Sequence, residues 1–485
     1  MPGVEMLDST ASICAKNPAS TLSAAKVGKN LQENGRISAG TDSQHEMDST
    51  TISRDEIIRL RKEYLGPACH SFYRRSPLVA SRASQQYIYD EEGRAYLDCI
   101  SNVQHVGHSH PKVTEAVSHQ MSLCNANIRF LNPTALQYCK ALSQFMPEPL
   151  KMFYFCNSGS EANDLAWRMA KEITGGTEVI VLDHAYHGHL TTTMELSPYK
   201  FMSAAGKRKP EDHVHIAPIP DVYRGIHQLA DSELTNAQKL EEAGKLYAQD
   251  VLNIIKQIQG SGKKLAAFFM EAFVSCGGQV IVPPGFLERV ITYVHEAGGL
   301  VVVDEVQTGF GRSGSHFWSY QTQMNQTAIE SNICPDILTM GKPMGNGFPV
   351  SALVTRQSIA AKFGSSGMQY FNTFGGNPVS CAAALAVLNV LQEENLQERA
   401  RVVGDYFMRQ LTLLKPKHPV IGDVRFKDKF ILLNNEGPHG NVIKIKPPMC
   451  FSKENVDEVV SALDEILQNM FHGQIPASHT NGSSS

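Results

Sequence analysis

The sequence predicts an α/β protein: a large domain with a mostly parallel sheet flanked by helices, and a second, smaller α/β domain. Three observations carry this. From Glu178 onward, short apolar runs alternate with longer stretches of helical period. The 485 residues exceed what one ordinary core holds. Several apolar runs end directly on polar residues, at the place where open α/β sheets bind ligands.

The elements follow in chain order. Residues 1–50 are rich in Ser, Thr, Ala, Asn and Gly and read as a disordered tail. A mitochondrial transit peptide is the alternative; the Ser content suits it, while Glu5, Asp8 and the scarcity of Arg oppose it. Residues 51–110 hold a strand-like hairpin, Gln86 to Asp98, and are assigned to the small domain. The large domain spans 111–393. Its buried strands are read at Glu178–Leu182, Leu265–Met270, Leu300–Asp304 and Asp336–Met340. Pro284 to Ala297 has apolar spacing of helical period and ends on Gly298-Gly299. A long Ala/Leu/Val helix, Asn377 to Gln392, closes the domain. Residues 394–474 form the smaller part, and 475–485 another loose tail.

Composition bounds the function. A net charge of −4 offers no basic surface to nucleic acid or membrane. Ten cysteines stand singly with no CxxC pair, which argues against a zinc site and a disulfide framework and favours a reducing compartment. No apolar run is long enough to span a bilayer.

Four strand ends then carry polar groups to one rim: Tyr186-His187, Glu271, Asp304 and the loop with Lys342. In Asn157-Ser-Gly-Ser-Glu-Ala-Asn163, Ser158 and Glu161 form a capping box for a helix read over 161–170. Gly159 and Ser160 then lie at the positive helix end, a ready anion site; read alone, the motif fits a simple capped helix as well. Asp304 ends an all-apolar strand, where an acid is costly unless it meets a cation or caps the next turn. A protonated pyridine nitrogen is such a cation, and Gln307 stands near enough to bond the ring hydroxyl. Lys342 sits between Gly341 and Pro343, after a buried strand. It reads either as a solvated lysine or as a Schiff-base lysine held in one direction.

The set SGSEAN, DHAYHGH, VDEVQTGFGR, TMGKPMGNG and FNTFGGNP resembles, in order and spacing, class III pyridoxal-phosphate aminotransferases of fold type I. The resemblance runs from about Ile52 to Gly422 and resumes at Leu432. It implies that Lys342 bonds the cofactor covalently and that Asp304 pairs with its pyridine nitrogen. It implies further that Gln307 contacts the ring oxygen, Tyr186 stacks on the ring beside His187, and Gly159 and Ser160 hold the phosphate. Glu271 joins the cofactor residues. Thr373 matches the family threonine that binds the phosphate of the neighbouring subunit, implying a homodimer with shared sites. No metal is implied.

Longer phrases, such as Cys99 to His108, Asn127 to Leu131, Ser197 to Phe201 and Lys444 to Phe451, resemble the phospho-lyase branch, which acts on phosphoethanolamine and 5-phosphohydroxy-L-lysine. Transaminases of the class clamp a substrate carboxylate with an Arg shortly before a Pro-Pro pair and mask it with a Glu. Here those positions are Lys444 and Cys276, and Lys cannot form the bidentate clamp. Phosphate is therefore the expected substrate anion, with Arg129, Lys444 and Lys446 as candidate cations and Arg129 foremost. The alternatives are an ω-aminotransferase of alanine–glyoxylate type and a catalytically impaired member that still binds cofactor. The second arises because the chain passes from Gly422-Asp-Val-Arg425 almost directly to a later strand, so one strand and most of one helix of the small domain read as missing near 425–432. The expected location is the mitochondrial matrix or the cytoplasm, with the family favouring the former.

Overall fold

The computed structural model describes residues 52–71, 77–201, 209–230, 232–421, 434–436 and 441–471. The two expected tails and the shortened stretch near 425–432 lie outside them. The chain divides into two compact units. One comprises residues up to Ala83 with Ile88–Tyr96, the other Ser84–Tyr87 with Leu97 onward.

The first unit holds the helix Arg54–Tyr64, started by Ser53, whose hydroxyl accepts from Glu56 N at 3.2 Å. It also holds most of a three-stranded sheet of β1 (Ala80–Ser84), β2 (Tyr87–Asp90) and β3 (Ala95–Leu97), in that order. The hairpin read at Gln86–Asp98 is β2 and β3. Its turn is set by Asp90, whose carboxylate accepts from the N–H of Glu92 and Arg94, and by Gly93 at φ 79°.

The second unit is built on a seven-stranded sheet. Its strands are β4 (Leu150–Cys156), β5 (Glu178–Leu182), β6 (Val214–Ala217), β7 (Leu265–Glu271), β10 (Leu300–Asp304), β11 (Ile337–Met340) and β12 (Ser351–Arg356). The short hairpin β8 (Phe273–Val274) and β9 (Val280–Ile281) lies between β7 and β10 in sequence. The order is β4-β12-β11-β10-β7-β5-β6. β12 runs antiparallel to both its neighbours and every other pairing is parallel. Apolar side chains alternate between the faces. Phe269, Val302, Ile337 and Leu353 meet Ala162, Leu165, Ala166 and Met169 of the helix Gly159–Thr174. Phe268, Val301, Val303 and Leu338 join the opposite core with the helices Phe286–Glu296 and Pro378–Glu393. Strands covered on both faces must be apolar throughout, which is why they read as continuous hydrophobic runs.

Three strands of this sheet escaped the sequence reading. β4 carries Lys151, β6 is four residues with His215 in it, and β12 contains Ser351, Thr355 and Arg356, so none reads as an apolar run. The helix read over 161–170 extends to Gly159–Thr174 and stops at Gly175, at φ 66°. Asn377 caps the helix Pro378–Glu393, accepting from Ser380 N at 2.9 Å, with Pro378 in the first turn. Near the C-terminus, β13 (Asn434–Glu436) and β14 (Val442–Lys444) form a separate antiparallel ribbon. No helix of the described residues is long and apolar enough to cross a membrane.

Candidate active site

The parallel strands end on one row. Asp304, the last residue of β10, is in register with Glu271 of β7 on one side and Thr339 of β11 on the other. Beyond this row lies a cavity of about 380 Å³. It is lined by Gly159, Ser160, Tyr186, His187, Glu271, Asp304, Gln307 and Lys342, eight residues that the sequence singled out on five separate segments.

Asp304 is buried and fully engaged. Its Oδ2 accepts from Asn163 Nδ2 at 2.7 Å and faces His187 Nδ1 at 3.0 Å; its Oδ1 accepts from Val306 N at 2.9 Å. Asn163 is oriented in turn: the Thr339 hydroxyl donates to its Oδ1 at 2.7 Å, and its Nδ2 also reaches His187 O at 2.9 Å. The acid is thus fixed by a buried chain of polar groups, in which His187 Nε2 is left without a partner. Asn163 was quoted only as the end of a motif. The signal that would have found it is an amide placed among Ala162, Leu165 and Ala166 on the buried face of its helix.

The helix Gly159–Thr174 points its N-terminus into the same cavity. Ser158 Oγ accepts from Glu161 N at 3.2 Å and Glu161 Oε2 from Ser158 N at 3.1 Å, completing the capping box. Two glycines allow close packing here. A Cβ on Gly159 would stand 2.6 Å from Val306 Cγ1, and one on Gly188 would stand 2.7 Å from Ser160 Oγ. Ser160 Oγ also accepts from His189 N at 3.0 Å.

Lys342 follows β11, its N–H bound to Val306 O at 3.1 Å. Burial lowers its ammonium from the usual lysine range, while the charges of Asp304 and Glu271 pull the other way. Glu271 accepts from Tyr186 N at 3.0 Å and Ser275 N at 3.2 Å, and burial pushes its carboxyl up to about 7. Burial likewise raises the Tyr186 phenol. Gln307 Oε1 accepts from Lys446 Nζ at 2.5 Å and from Asn102 Nδ2 at 3.0 Å.

Three expected residues are not brought into the cavity by their own chain. Arg129 lies on the exposed stretch after the helix Pro111–Leu123, its guanidinium 4.2 Å above the Phe371 ring. Thr373 is exposed in the loop before Asn377. Lys444 is buried at the end of β14 but does not line the cavity. Its charge nevertheless bears on Glu271 and Lys342, and Lys446, two residues on, bonds the lining side chain of Gln307.

The donor set fits pyridoxal phosphate. The cavity offers an anion-binding helix end that admits no Cβ, an oriented carboxylate, an aromatic ring, and an amine whose neutral form is favoured by burial.

Next to Asp304, Glu305 points the other way, into the interior. Its carboxyl accepts from Thr308 Oγ1 at 2.5 Å and Tyr320 N at 2.7 Å, and burial pushes it up to about 8 from an unfolded value of 4.5. A raised folded pKa stabilises the fold at acid pH, and that stability is lost as pH rises through the folded value. The unfolding temperature should therefore fall between roughly pH 4.5 and 8, and Glu305→Gln should flatten that slope. An unchanged slope in the variant would assign the effect elsewhere.

Comparison with known proteins agrees with this geometry. The pattern of the family described as aminotransferase class-III matches residues 70–438. The chain is 47% identical over 449 residues to ethanolamine-phosphate phospho-lyase homolog 1 of Caenorhabditis elegans, covering 86% of this chain and 94% of that one. It is 45% identical to the alanine–glyoxylate aminotransferase 2-like protein of Drosophila melanogaster, covering 86% and 88%. Among solved structures, a phospholyase from Arthrobacter in complex with phosphoethanolamine superposes with a TM-score of 0.76 at 33% identity, covering 87% of this chain and all of that one.

Proposed function

The chain belongs to the class-III aminotransferase family of pyridoxal 5'-phosphate enzymes, and on that footing we propose that it is a phospho-lyase, releasing phosphate and ammonia from a phosphorylated amine such as phosphoethanolamine or 5-phosphohydroxy-L-lysine. The observation that carries this reading is the pair Lys444 and Cys276, standing where transaminases of the family hold a carboxylate-clamping Arg and its masking Glu. Both are buried. The likeness to a phospholyase that holds phosphoethanolamine supports the same reading.

The residues divide the work. When bound, pyridoxal phosphate supplies an electron sink for the carbon that bears the substrate nitrogen. The helix end at Gly159 and Ser160 would receive the cofactor phosphate, and Asp304 would present its carboxylate to the pyridine nitrogen. Tyr186 would cover the ring. The Lys342 amine removes the proton from the carbon next to nitrogen, a task suited to a lysine whose charged form burial disfavours. The phosphate on the neighbouring carbon departs with the C–O bonding pair as the electrons of the broken C–H bond form a double bond to that carbon; that carbon then takes up a proton, and water supplies the carbonyl oxygen as ammonia leaves the aldehyde. A cation stabilises the departing charge. Lys444, whose charge bears on Glu271 and Lys342, is a candidate within the chain; in the site of a second subunit Arg129 would supply such a cation and Thr373 a ligand to the cofactor phosphate.

A homodimer is part of the proposal. Phe130 and Leu131 beside Arg129, and Met368 and Phe374 beside Thr373, are exposed, Leu131 completely. The two stretches touch where Arg129 covers Phe371. Apolar surface of this kind around functional residues suits a subunit interface.

The test is to incubate holoenzyme with each phosphorylated amine and to follow phosphate, ammonia and the cofactor spectrum together. Equimolar phosphate and ammonia with the cofactor unchanged are expected. Conversion of the cofactor to its amine form without phosphate would establish the transaminase reading instead.

A further inference from the structure

Gln307 lines the cavity with an amide whose oxygen is already occupied. Lys446 Nζ donates to Gln307 Oε1 at 2.5 Å and to Ser275 Oγ at 2.8 Å; Asn102 Nδ2 reaches the same Oε1 at 3.0 Å. An ammonium donates and cannot accept, so the amide atom beside Lys446 has to be the oxygen. The Ser275 hydroxyl accepts from Lys446 and donates to Gln279 Oε1 at 2.7 Å, with a longer contact of 3.4 Å to the same Gln307 Oε1, so it too meets the amide at its oxygen.

Lys446 is itself fixed. It is 7% exposed, and its backbone N–H is bonded to Cys99 O at 3.0 Å. The residue two before it, Lys444, ends the β13–β14 ribbon, and the residue after it, Pro447, gives its carbonyl to Arg312 at 2.9 Å. The chain is therefore held on both sides of Lys446. An amide is planar, so holding its oxygen toward Lys446 and Asn102 turns its NH2 away from them.

We propose that Lys446 is a positioning residue that locks the Gln307 amide so that its NH2, and not its carbonyl, faces the ring oxygen of the cofactor. This rests on the reading of Gln307 as the partner of that oxygen. The chemical consequence is defined. A donor draws charge from the ring oxygen and weakens its hold on the proton it shares with the neighbouring nitrogen. A carbonyl in the same place would repel the oxygen and strengthen that hold. Lys446 thereby sets the protonation of the bound cofactor without touching it.

The test is a titration of the visible absorption band of bound cofactor against pH, in the wild type, Lys446→Met, Gln307→Leu and the double variant, without substrate. Lys446→Met should raise the midpoint by about one pH unit, the tenfold expected from one hydrogen bond. Gln307→Leu should raise it similarly, and the double variant should show no more than Gln307→Leu alone. If Gln307→Leu leaves the midpoint unmoved, the reading of Gln307 itself fails. If Gln307→Leu moves it but Lys446→Met does not, or if the two shifts add, the positioning role of Lys446 fails. An unmoved titration with weakened substrate binding in Lys446→Met would mean that the ammonium serves the substrate directly, which also overturns the proposal. Should Lys446→Met fail to take up cofactor, Lys446→Arg keeps the charge and changes the reach. It should shift the midpoint in the same direction, and no shift would count against the proposal.

Discussion

Lys342→Ala should lose phosphate release by about a thousandfold or more, the scale of a removed general base, and should lose covalent attachment of cofactor altogether. The side chain stands where the strand β11 ends, with its backbone tied to Val306, and the same Val306 packs against Gly159. The alanine removes the amine without disturbing either contact. Cofactor should still be held at the helix end and by Asp304, so the protein should remain loaded but bleach on denaturation after borohydride treatment. Retention of borohydride-fixed cofactor in the variant would show that another amine does this work.

Asp304→Asn should retain the fold and bind cofactor, yet fall in turnover by about a hundredfold or more, as expected when one partner of a buried charge pair is neutralised. The geometry adds a second cost. The carboxylate accepts at both oxygens, from Asn163 and His187 on one side and from Val306 N on the other. An asparagine has only one acceptor atom, so either orientation of its amide sets NH2 against a donor. Turnover close to wild type would show that the carboxylate has a structural task only.

Much of the sheet was legible from residue order because parallel strands covered on both faces cannot carry polar side chains. β5, β7, β10 and β11 announce themselves as largely apolar runs, and β7 and β10 close on Glu271 and Asp304. β4, β6 and β12 did not, since edge position or a polar residue breaks the run. Glu271 and Asp304 were legible as acids closing apolar strands and Gly159 and Ser160 as the start of a capped helix, while the roles of the other lining residues came from the family resemblance. What the sequence could not convey is how they are held. Asn163 and Thr339 are ordinary residues until a helix and a strand bring them to 2.7 Å of each other. Lys446 is 139 positions from the glutamine it grips. Arg129, prominent as part of a phrase, lies on the surface of its own chain because the segment that carries it turns outward after a helix.

Asp304 and Lys446 differ in the kind of element that holds them. Asp304 belongs to a strand paired on both sides at the centre of seven, while Lys446 follows a two-stranded ribbon. Amides of the central strand exchange with solvent only when the whole unit opens; those of a two-stranded ribbon exchange through local excursions of much lower free energy. An excursion that spreads from the ribbon to the Cys99 and Arg312 bonds around Lys446 would free the Gln307 amide to rotate while the carboxylate stays in place. The fraction of time the ribbon spends closed then sets how uniform the bound cofactor's protonation is across the molecules in a sample.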